Sequence, residues 1–155
     1  MDIKYHFSGI AGSGMAPLAF LLYSWGYQVS GSDRFIDQPG RAGCQSINPE
    51  ILNWTGPAGP GASRGAETKA YLYPQDGSGI RDDVDFLVVS SAIETTNPEV
   101  QKAVSLGVPV VKRAVLLSNL FNTGKGIAVG GTSGKSTVSS MTYWLLKKNL
   151  TPTFI

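Results

Sequence analysis

Near its end the sequence reads Gly130-Gly131-Thr132-Ser133-Gly134-Lys135-Ser136-Thr137, directly after the apolar run Ile127-Ala128-Val129. The helical pattern Val138 to Lys148 follows. A strand, a glycine loop and a helix in this order are typical of a phosphate-binding loop, because backbone N–H groups and the positive end of the helix dipole meet at one anion. The stretch therefore predicts a nucleotide site within an α/β fold.

Two side chains of this loop have predicted roles. Lys135 is expected to reach the β- and γ-phosphates of the nucleotide and is the predicted catalytic residue, while the Ser136 hydroxyl is expected to contact a magnesium ion. The strict pattern G-x-x-x-x-G-K-[ST] has glycine where this chain has Val129, so the loop is a shorter variant, and a chance Gly-Lys-Ser sequence is the alternative. The predicted nucleotide-binding residues are Gly131, Thr132, Ser133, Gly134, Lys135, Ser136 and Thr137.

Composition limits the class of protein. The chain has 155 residues, enough for one domain with a proper core, and 42% of them are hydrophobic. No apolar run approaches the ~20 residues that a membrane span needs. Cys44 is the single cysteine, which excludes an internal disulfide, and the N-terminus lacks an export signal, so both features favour the cytoplasm. The net charge of +2 comes without a basic stripe, which argues against nucleic acid as a partner.

The N-terminal segment predicts a Rossmann-type unit. The β-prone run Ile3 to Phe7 leads into a glycine turn and a helix, and the next strand, Gln28 to Ser32, ends at Asp33. Dinucleotide-binding folds place a ribose-binding acid about 20 residues past their glycines, where Asp33 stands, although a solvated turn acid is the alternative. One face of the helix is predicted to carry Leu18, Leu21, Leu22 and Trp25.

The glycine turn departs from the G-x-G-x-x-G pattern. Read from Gly9, its middle position is Ala11, whose methyl group fills space where a pyrophosphate would approach the backbone. We therefore expect the diphosphate over Gly12-Ser13-Gly14, although such glycines also serve packing alone. His6 lies inside the first strand, and no second histidine exists to complete a metal site, so we expect it to be structural.

Between Asp37 and Gly79 the pattern loosens. Gly56 to Gly61 can hold neither a helix nor a central strand and predicts a surface loop. A brief helix is predicted at Asn48 to Leu52, and a strand at Ala70 to Tyr73. No base accompanies Cys44 in sequence, so we expect no reactive role for it.

Order returns with Val84 to Ser90, an apolar run typical of a parallel strand that is buried on both faces. Ser90 and Ser91 would lie at the carboxyl edge of the sheet, where they either contact a diphosphate or cap their own turn. Asn97-Pro98 predicts the start of a helix and Gly107 its end. The buried face of that helix is predicted to hold Val100, Ala103 and Val104.

A further strand, Val108 to Val111, brings two cations to the same edge. Lys112 and Arg113 precede the helix Ala114 to Phe121, and we expect Arg113 to bind substrate, with a solvated basic pair as the alternative. The predicted substrate-binding residues are Gly12, Ser13, Gly14, Asp33, Ser90, Ser91 and Arg113.

A domain boundary is predicted near residue 123, because Asn122-Thr123-Gly124-Lys125 is typical of a linker. It separates a Rossmann-like domain, residues 1–122, from residues 123–155, which hold the first strand, the phosphate loop and the first helix of a second α/β domain. The apolar face of this helix is expected to pack back on the first domain, meet a second copy or stay poorly ordered. That face is predicted to hold Val138, Met141, Trp144, Leu145 and Lys148.

Two phosphate-binding glycine loops, one at each domain start, resemble the arrangement in the Mur ligases. The likeness covers residues 3–35 and 84–150, and it is specific as a combination of motifs. Within the family, the chain is most similar to the members that add L-alanine to UDP-N-acetylmuramate. The motifs that carry the resemblance are His6 to Met15, Ser30 to Asp33, Ser90 to Ile93, Asn97 to Glu99, Arg113-Ala114 and Gly131 to Thr137.

The resemblance implies a function. In this family the first domain holds the UDP of the sugar nucleotide, the central domain binds ATP and Mg²⁺, and a third domain receives the amino acid. ATP would phosphorylate the muramoyl carboxylate, the amine of L-alanine would attack the acyl phosphate, and phosphate would leave, with Lys135 and Ser136 at the ATP. This chain would hold the first domain and the start of the second, so alone it would be inactive. The implied partners are UDP-N-acetylmuramate and an amino acid, and the partial second domain could mediate self-association.

The chain departs from the family pattern at three places. Ser133 stands where the alanine-adding members usually have histidine, and Val115 where they usually have glutamate. Residues 56–65 look like an insertion. A ligase for recycled muramoyl peptides, or one with another acceptor, therefore stays open.

Two other classes of function fit parts of the sequence. A nicotinamide-dependent oxidoreductase would suit the first strand, turn, helix and Asp33 equally well, because NAD and UDP both present a diphosphate and a ribose diol. An oxidoreductase of this kind does not need the phosphate loop around Gly134-Lys135-Ser136, whereas a ligase that activates a carboxylate with ATP requires such a loop. A UDP-sugar-binding module without catalysis is the third interpretation.

Overall fold

The computed structural model describes residues 3–34 and 71–152. The predictions for Cys44, for the helix Asn48 to Leu52 and for the loop Gly56 to Gly61 lie outside these residues. The chain divides into two units, Met1–Ser118 and Asn119–Ile155. Within the described ranges, no helix is long and apolar enough to cross a membrane.

The first unit contains a five-stranded sheet with the order β3-β2-β1-β4-β5. All neighbouring strands are parallel, as the sequence predicts. The strands are β1 (Lys4–Ser8), β2 (Gln28–Ser32), β3 (Tyr71–Tyr73), β4 (Phe86–Val89) and β5 (Val110–Lys112). The helices of the chain are α1 (Ala16–Ser24), α2 (Pro98–Leu106), α3 (Arg113–Phe121) and α4 (Lys135–Leu146).

Strand β1 is the centre of the sheet and the point where the strand order reverses. The chain leaves β1 towards β2 on one side, whereas it leaves the other neighbour, β4, towards β5 on the opposite side. Because crossovers between parallel strands are right-handed, these two connections lie on opposite faces of the sheet. The turn after β1 and the loop after β4 therefore diverge at the carboxyl edge, and a crevice of this kind binds ligands in open α/β sheets.

Local signals set the ends of α1 and α2. Gly26 follows α1 with a φ of 89°, and Gly107 follows α2 with a φ of 71°, as expected for glycines that terminate helices. The Asn97 side chain accepts a hydrogen bond of 2.9 Å from the backbone N–H of Glu99 and so caps the first turn of α2.

One predicted core residue of α2 is wrong. Val100 and Ala103 are buried as expected, but Val104 is 68% exposed. The arc of α2 that faces the sheet is centred closer to Glu99, which is fully buried, and this rotation turns Val104 outward. The apolar core around α2 consists of Ile80, Val84, Leu87, Val89, Val100, Ala103 and Val108.

In the second unit, α4 follows the predicted phosphate loop as expected, but the strand expected at Ile127 to Val129 is not formed. A strand needs a neighbour that accepts its backbone hydrogen bonds, and the described part of this unit contains no other strand. No residue of α4 is buried. Trp144, on the predicted apolar face, is 62% exposed.

Gly31, in the middle of β2, allows Ile10 to pack directly against the sheet. A Cβ atom built at Gly31 would lie 2.6 Å from the Cδ1 atom and 2.7 Å from the Cβ atom of Ile10. Ile10 is buried, so it has no room to move away.

We expect Gly31→Ala to lower the free energy of unfolding by about 1–3 kcal/mol, because it overpacks this contact. Gly124→Ala is the matched control, since nothing lies within 4 Å of the position its Cβ would take. Urea unfolding followed by circular dichroism measures both changes. A Gly31→Ala variant as stable as the control would contradict the described packing.

Candidate nucleotide-binding sites

The glycine turn after β1 is fixed by backbone hydrogen bonds to the end of β2. The N–H groups of Gly9 and Ile10 both donate to the carbonyl oxygen of Ser32, at 2.8 and 2.9 Å. Gly9 has a φ of 74°, a conformation that glycine adopts without strain. The turn is therefore a preformed feature of the carboxyl edge.

Within Gly12-Ser13-Gly14, two N–H groups remain available to a ligand. The Gly12 N–H donates to the Gly9 carbonyl oxygen at 3.0 Å. In the described part of the chain, no acceptor contacts the N–H of Ser13 or of Gly14. Because these residues lie just before α1, their N–H groups point towards a place that favours an anion.

Arg113 lies beside Gly14, although 99 positions separate them in sequence. A Cβ atom built at Gly14 would be 3.2 Å from both the Cζ and the Nη1 atoms of Arg113. Arg113 is half-buried, and among residues 3–34 and 71–152 no carboxylate forms an ion pair with it. The structure thus brings two predicted substrate-binding residues together, and a guanidinium next to open N–H groups suits a phosphate.

Asp33 lies at the same turn. Its Oδ2 atom accepts a hydrogen bond of 3.1 Å from the N–H of Ala11, and the residue is only 8% exposed. The alternative of a solvated acid is therefore wrong, because the carboxylate is buried and holds the glycine turn. Its position beside the turn also keeps it near any diphosphate bound there.

The serines after β4 differ from each other. Ser90 Oγ accepts a hydrogen bond of 3.3 Å from the Ala92 N–H, which is the turn-capping alternative. Ser91 is exposed. Ligand contact by either serine stays a prediction.

A buried polar network lies below this edge, and the sequence alone did not reveal it. His6 and Glu99 are both fully buried. His6 Nε2 is 3.2 Å from Glu99 Oε1, and His6 Nδ1 is 2.8 Å from Ser30 Oγ. Ser8 donates its hydroxyl hydrogen to Glu99 Oε2 and accepts a hydrogen bond of 3.0 Å from Gln75 Nε2.

Hydrogen bonding keeps Glu99 ionised. Burial alone would raise the pKa of this carboxyl, but the hydrogen bonds from His6 and Ser8, together with the nearby Ser32 hydroxyl, outweigh burial and hold the pKa below its ordinary value. The Ser32 hydroxyl helps to lower the pKa of Glu99. Within the described residues, however, the Ser32 oxygen has no partner that meets both the distance and the angle of a hydrogen bond. Since an ionised carboxylate only accepts, His6 must donate from Nε2, and its Nδ1 shares a hydrogen bond with Ser30.

In the predicted phosphate loop of the second unit, the lysine side chain bonds to the loop itself. Gly134 has a φ of 76° and forms the N-cap of α4. Lys135 Nζ donates to the carbonyl oxygens of Gly131, at 2.8 Å, and Thr132, at 3.4 Å. All residues from Gly130 to Ser136 are accessible to solvent, so a nucleotide phosphate could reach this ammonium group.

A comparison with protein families finds a match over most of the chain. The model described as "Mur ligase family, catalytic domain" matches residues 4–50 and 62–125. The chain belongs to the Mur ligase family. The resemblance stated above from the motifs is therefore confirmed.

Curated relatives in this family cover nearly the whole chain. The chain is 35% identical to a UDP-N-acetylmuramate–L-alanine ligase of Bdellovibrio bacteriovorus, over 98% of this chain and 29% of the relative. It is 37% identical to the ligase of the same name from Vesicomyosocius okutanii, over 97% of this chain and 28% of the relative. The chain thus spans less than a third of the length of these Mur ligases.

Solved structures agree with the fold. The UDP-N-acetylmuramate–alanine ligase of Thermotoga maritima superposes with a TM-score of 0.70 at 25% identity, over 94% of this chain and 29% of that protein. A murein peptide ligase of Psychrobacter arcticus gives the same TM-score at 22% identity, over 94% of this chain and 26% of that protein. The second likeness concerns the Mur ligase fold alone.

We expect the Glu99 carboxylate to make stability depend on pH. Because its pKa is lower in the folded than in the unfolded chain, it stabilises the fold fully above the unfolded-state pKa of about 4.3, and this contribution is lost as the pH falls through the folded-state pKa. Glu99→Gln has no such titration. The difference in unfolding free energy between wild type and Glu99→Gln should therefore shrink from about pH 6 to about pH 3. A difference independent of pH in urea unfolding would contradict the ionised state of Glu99.

Proposed function

We propose that this chain is the sugar-nucleotide-binding domain and the start of the ATP-binding domain of a ligase that joins L-alanine to UDP-N-acetylmuramate. The observation that carries the proposal is the contact between Gly14 and Arg113 at the carboxyl edge, in a chain whose relatives bear that name. The proposed boundary near residue 123 assigns the glycine turn to the first domain and the phosphate loop to the second.

The diphosphate of UDP would bind between the glycine turn and Arg113. The open N–H groups of Ser13 and Gly14 and the guanidinium offer donors and positive charge at one place. Asp33, which already supports the turn through Ala11, would accept hydrogen bonds from the ribose diol. In this arrangement the nucleotide would lie over the crevice where the strand order reverses.

The ligation would follow from activation of a carboxylate. A carboxylate resists attack by an amine, so ATP first transfers its γ-phosphoryl group to the muramoyl carboxylate and leaves ADP. The amine of L-alanine then attacks the acyl carbon, and inorganic phosphate leaves with the C–O bond electrons. Lys135 would stabilise negative charge on the transferring phosphoryl group, and the backbone from Gly131 to Gly134 would orient it.

The loop also fits a magnesium ion that is bound together with ATP. The Ser136 hydroxyl lies in the first turn of α4, is exposed and makes no hydrogen bond within the described residues, so it offers the type of oxygen that Mg²⁺ binds. The described residues contain no cluster of three acidic, histidine or cysteine side chains. Ser136 would therefore be one ligand beside phosphate and water oxygens, and the ion would neutralise phosphate charge.

We expect UDP-N-acetylmuramate to raise the melting temperature of the 155-residue chain and NAD to leave it unchanged. Arg113→Ala should weaken binding of the sugar nucleotide by about 10-fold or more, because it removes charge-assisted hydrogen bonds. Gly14→Val should also weaken it, because its side chain would displace the guanidinium. Thermal shift and titration calorimetry provide both readouts.

Arg81→Ala is the matched control for Arg113→Ala. It removes the same charge from an exposed arginine before β4, at the opposite edge of the sheet, where Arg81 pairs with Asp83. Equal losses in the two variants would point to a general charge effect. A shift with NAD alone would instead support a nicotinamide-dependent oxidoreductase.

We expect the 155-residue chain to catalyse no ligation when it is incubated with UDP-N-acetylmuramate, ATP, Mg²⁺ and L-alanine. The phosphate loop is exposed and α4 buries no residue, so ATP phosphates would remain in water, where a single lysine stabilises little. Phosphate release should equal that of Lys135→Ala, with Lys125→Ala as a charge-matched control. Release by wild type that Lys135→Ala abolishes would show that this piece suffices for catalysis.

A further inference from the structure

The face of the sheet beneath α2 is polar along β1 and β2. His6 and Ser8 alternate with apolar neighbours, so they share one face, and their register partners on β2 are Ser30 and Ser32. His6, Ser8 and Ser32 are fully buried. Buried polar groups destabilise a core unless they are well paired, and in this layer both His6 and Ser8 pair with Glu99.

Glu99 connects this layer to two loops at the carboxyl edge of the sheet. It lies in the first turn of α2, directly after the loop 90–97, and the Asn97 cap holds its N–H. Its carboxylate accepts the hydroxyl hydrogen of Ser8, the residue that immediately precedes Gly9 and the glycine turn. Glu99 therefore links the end of the loop after β4 to the start of the turn after β1.

Ser8 is also hydrogen-bonded to the segment after β3. Its hydroxyl has one hydrogen, which it donates to Glu99, and it accepts a hydrogen bond from Gln75 in the segment after β3. The directions of these bonds are fixed, because Glu99 can only accept and the Gln75 amide group donates. The connections after β1, β3 and β4 thus converge on one hydroxyl group.

We propose that Glu99 is a positioning residue, which acts through Ser8 to hold the glycine turn and the loop 90–97 in the arrangement that binds the sugar nucleotide. The inference rests on the proposed function for the identity of its ligand. Hydrogen bonding is what matters in this role, whereas a residue that only stabilised the fold would leave the affinity of the folded protein unchanged. Gln fits the same space and can bond to both His6 and Ser8, because the imidazole can change tautomer and Ser30 can accept.

The test measures affinity for UDP-N-acetylmuramate by titration calorimetry, well below the melting temperature of each variant. Glu99→Leu and Ser8→Ala should each weaken binding by about 10-fold, whereas Glu99→Gln should stay within about 3-fold of wild type. The double variant Ser8→Ala/Glu99→Leu should lose clearly less than the product of the two single losses, since both single variants remove the Ser8–Glu99 bond. Ser105→Ala, whose hydroxyl bonds only within α2, serves as the control.

Two results would overturn the proposal. One is wild-type affinity in folded Glu99→Leu and Ser8→Ala, which would make Glu99 a stabilising residue only. The other is losses that multiply in the double variant, which would make the two residues independent. If Glu99→Leu and Ser8→Ala do not fold, Gln75→Ala decides, because Gln75 is only part-buried: it should weaken binding by about 3-fold.

Hydrogen–deuterium exchange of the ligand-free chain separates this inference from the proposed function. Glu99→Leu should accelerate exchange in residues 9–15 and 90–97 together, and Glu99→Gln should not. Unchanged exchange in Glu99→Leu overturns the positioning role. A wild-type chain that binds no sugar nucleotide overturns the proposed function, while the exchange result still decides whether Glu99 positions the two loops.

Discussion

Hydrogen bonding of β1 to β2 on one side and to β4 on the other is the constraint that determines the carboxyl edge of the sheet. Because all three strands are parallel, their carboxyl ends come to one edge. The chain leaves β1 and β4 in opposite directions, so the two following segments cannot cover the space between them. The glycine turn occupies one side of that space, and Arg113, at the start of α3, reaches Gly14 from beyond β5.

The alternation of side chains along β1 divides the unit into two different interiors. Phe7 points to the face where Ile10 packs over Gly31, whereas His6 and Ser8 point to the face beneath α2. On that second face, β4 contributes apolar side chains beside the polar ones of β1. Helix α2 matches both halves, because Glu99 lies over β1 while Val100 and Ala103 join the apolar core.

Local chemistry made much of the fold predictable from the sequence. Helix ends are set by interactions within a few residues, so a single sequence reveals them. The residues that end or begin a helix here are Asn97, Gly26 and Gly107. Glu99 was not predictable in this way. An acid in the first turn of a helix is usually explained by the helix dipole, and only the contact with His6, 93 positions away, shows that it is buried.

The same reasoning explains the two predictions that were wrong. Val104 is exposed because the rotation of α2 is set by Glu99, which the apolar pattern does not include. The run Ile127 to Val129 has the composition of a strand, but strand formation requires a partner, which the described second unit does not provide. The Gly14–Arg113 contact was predictable only in part, since the sequence assigns both residues to one edge of the sheet and to substrate binding but does not show that they touch.

The two glycine loops differ in how far their structure is fixed before a ligand arrives. The turn after β1 is held by the Ser32 carbonyl oxygen and by Asp33, and it leaves two N–H groups open in a defined place. In the predicted phosphate loop, Lys135 bonds to carbonyl oxygens of its own loop, and a bound phosphate would have to replace these bonds. A preorganised site spends less of its interaction energy on ordering, and the glycine turn meets this condition more fully than the predicted phosphate loop does.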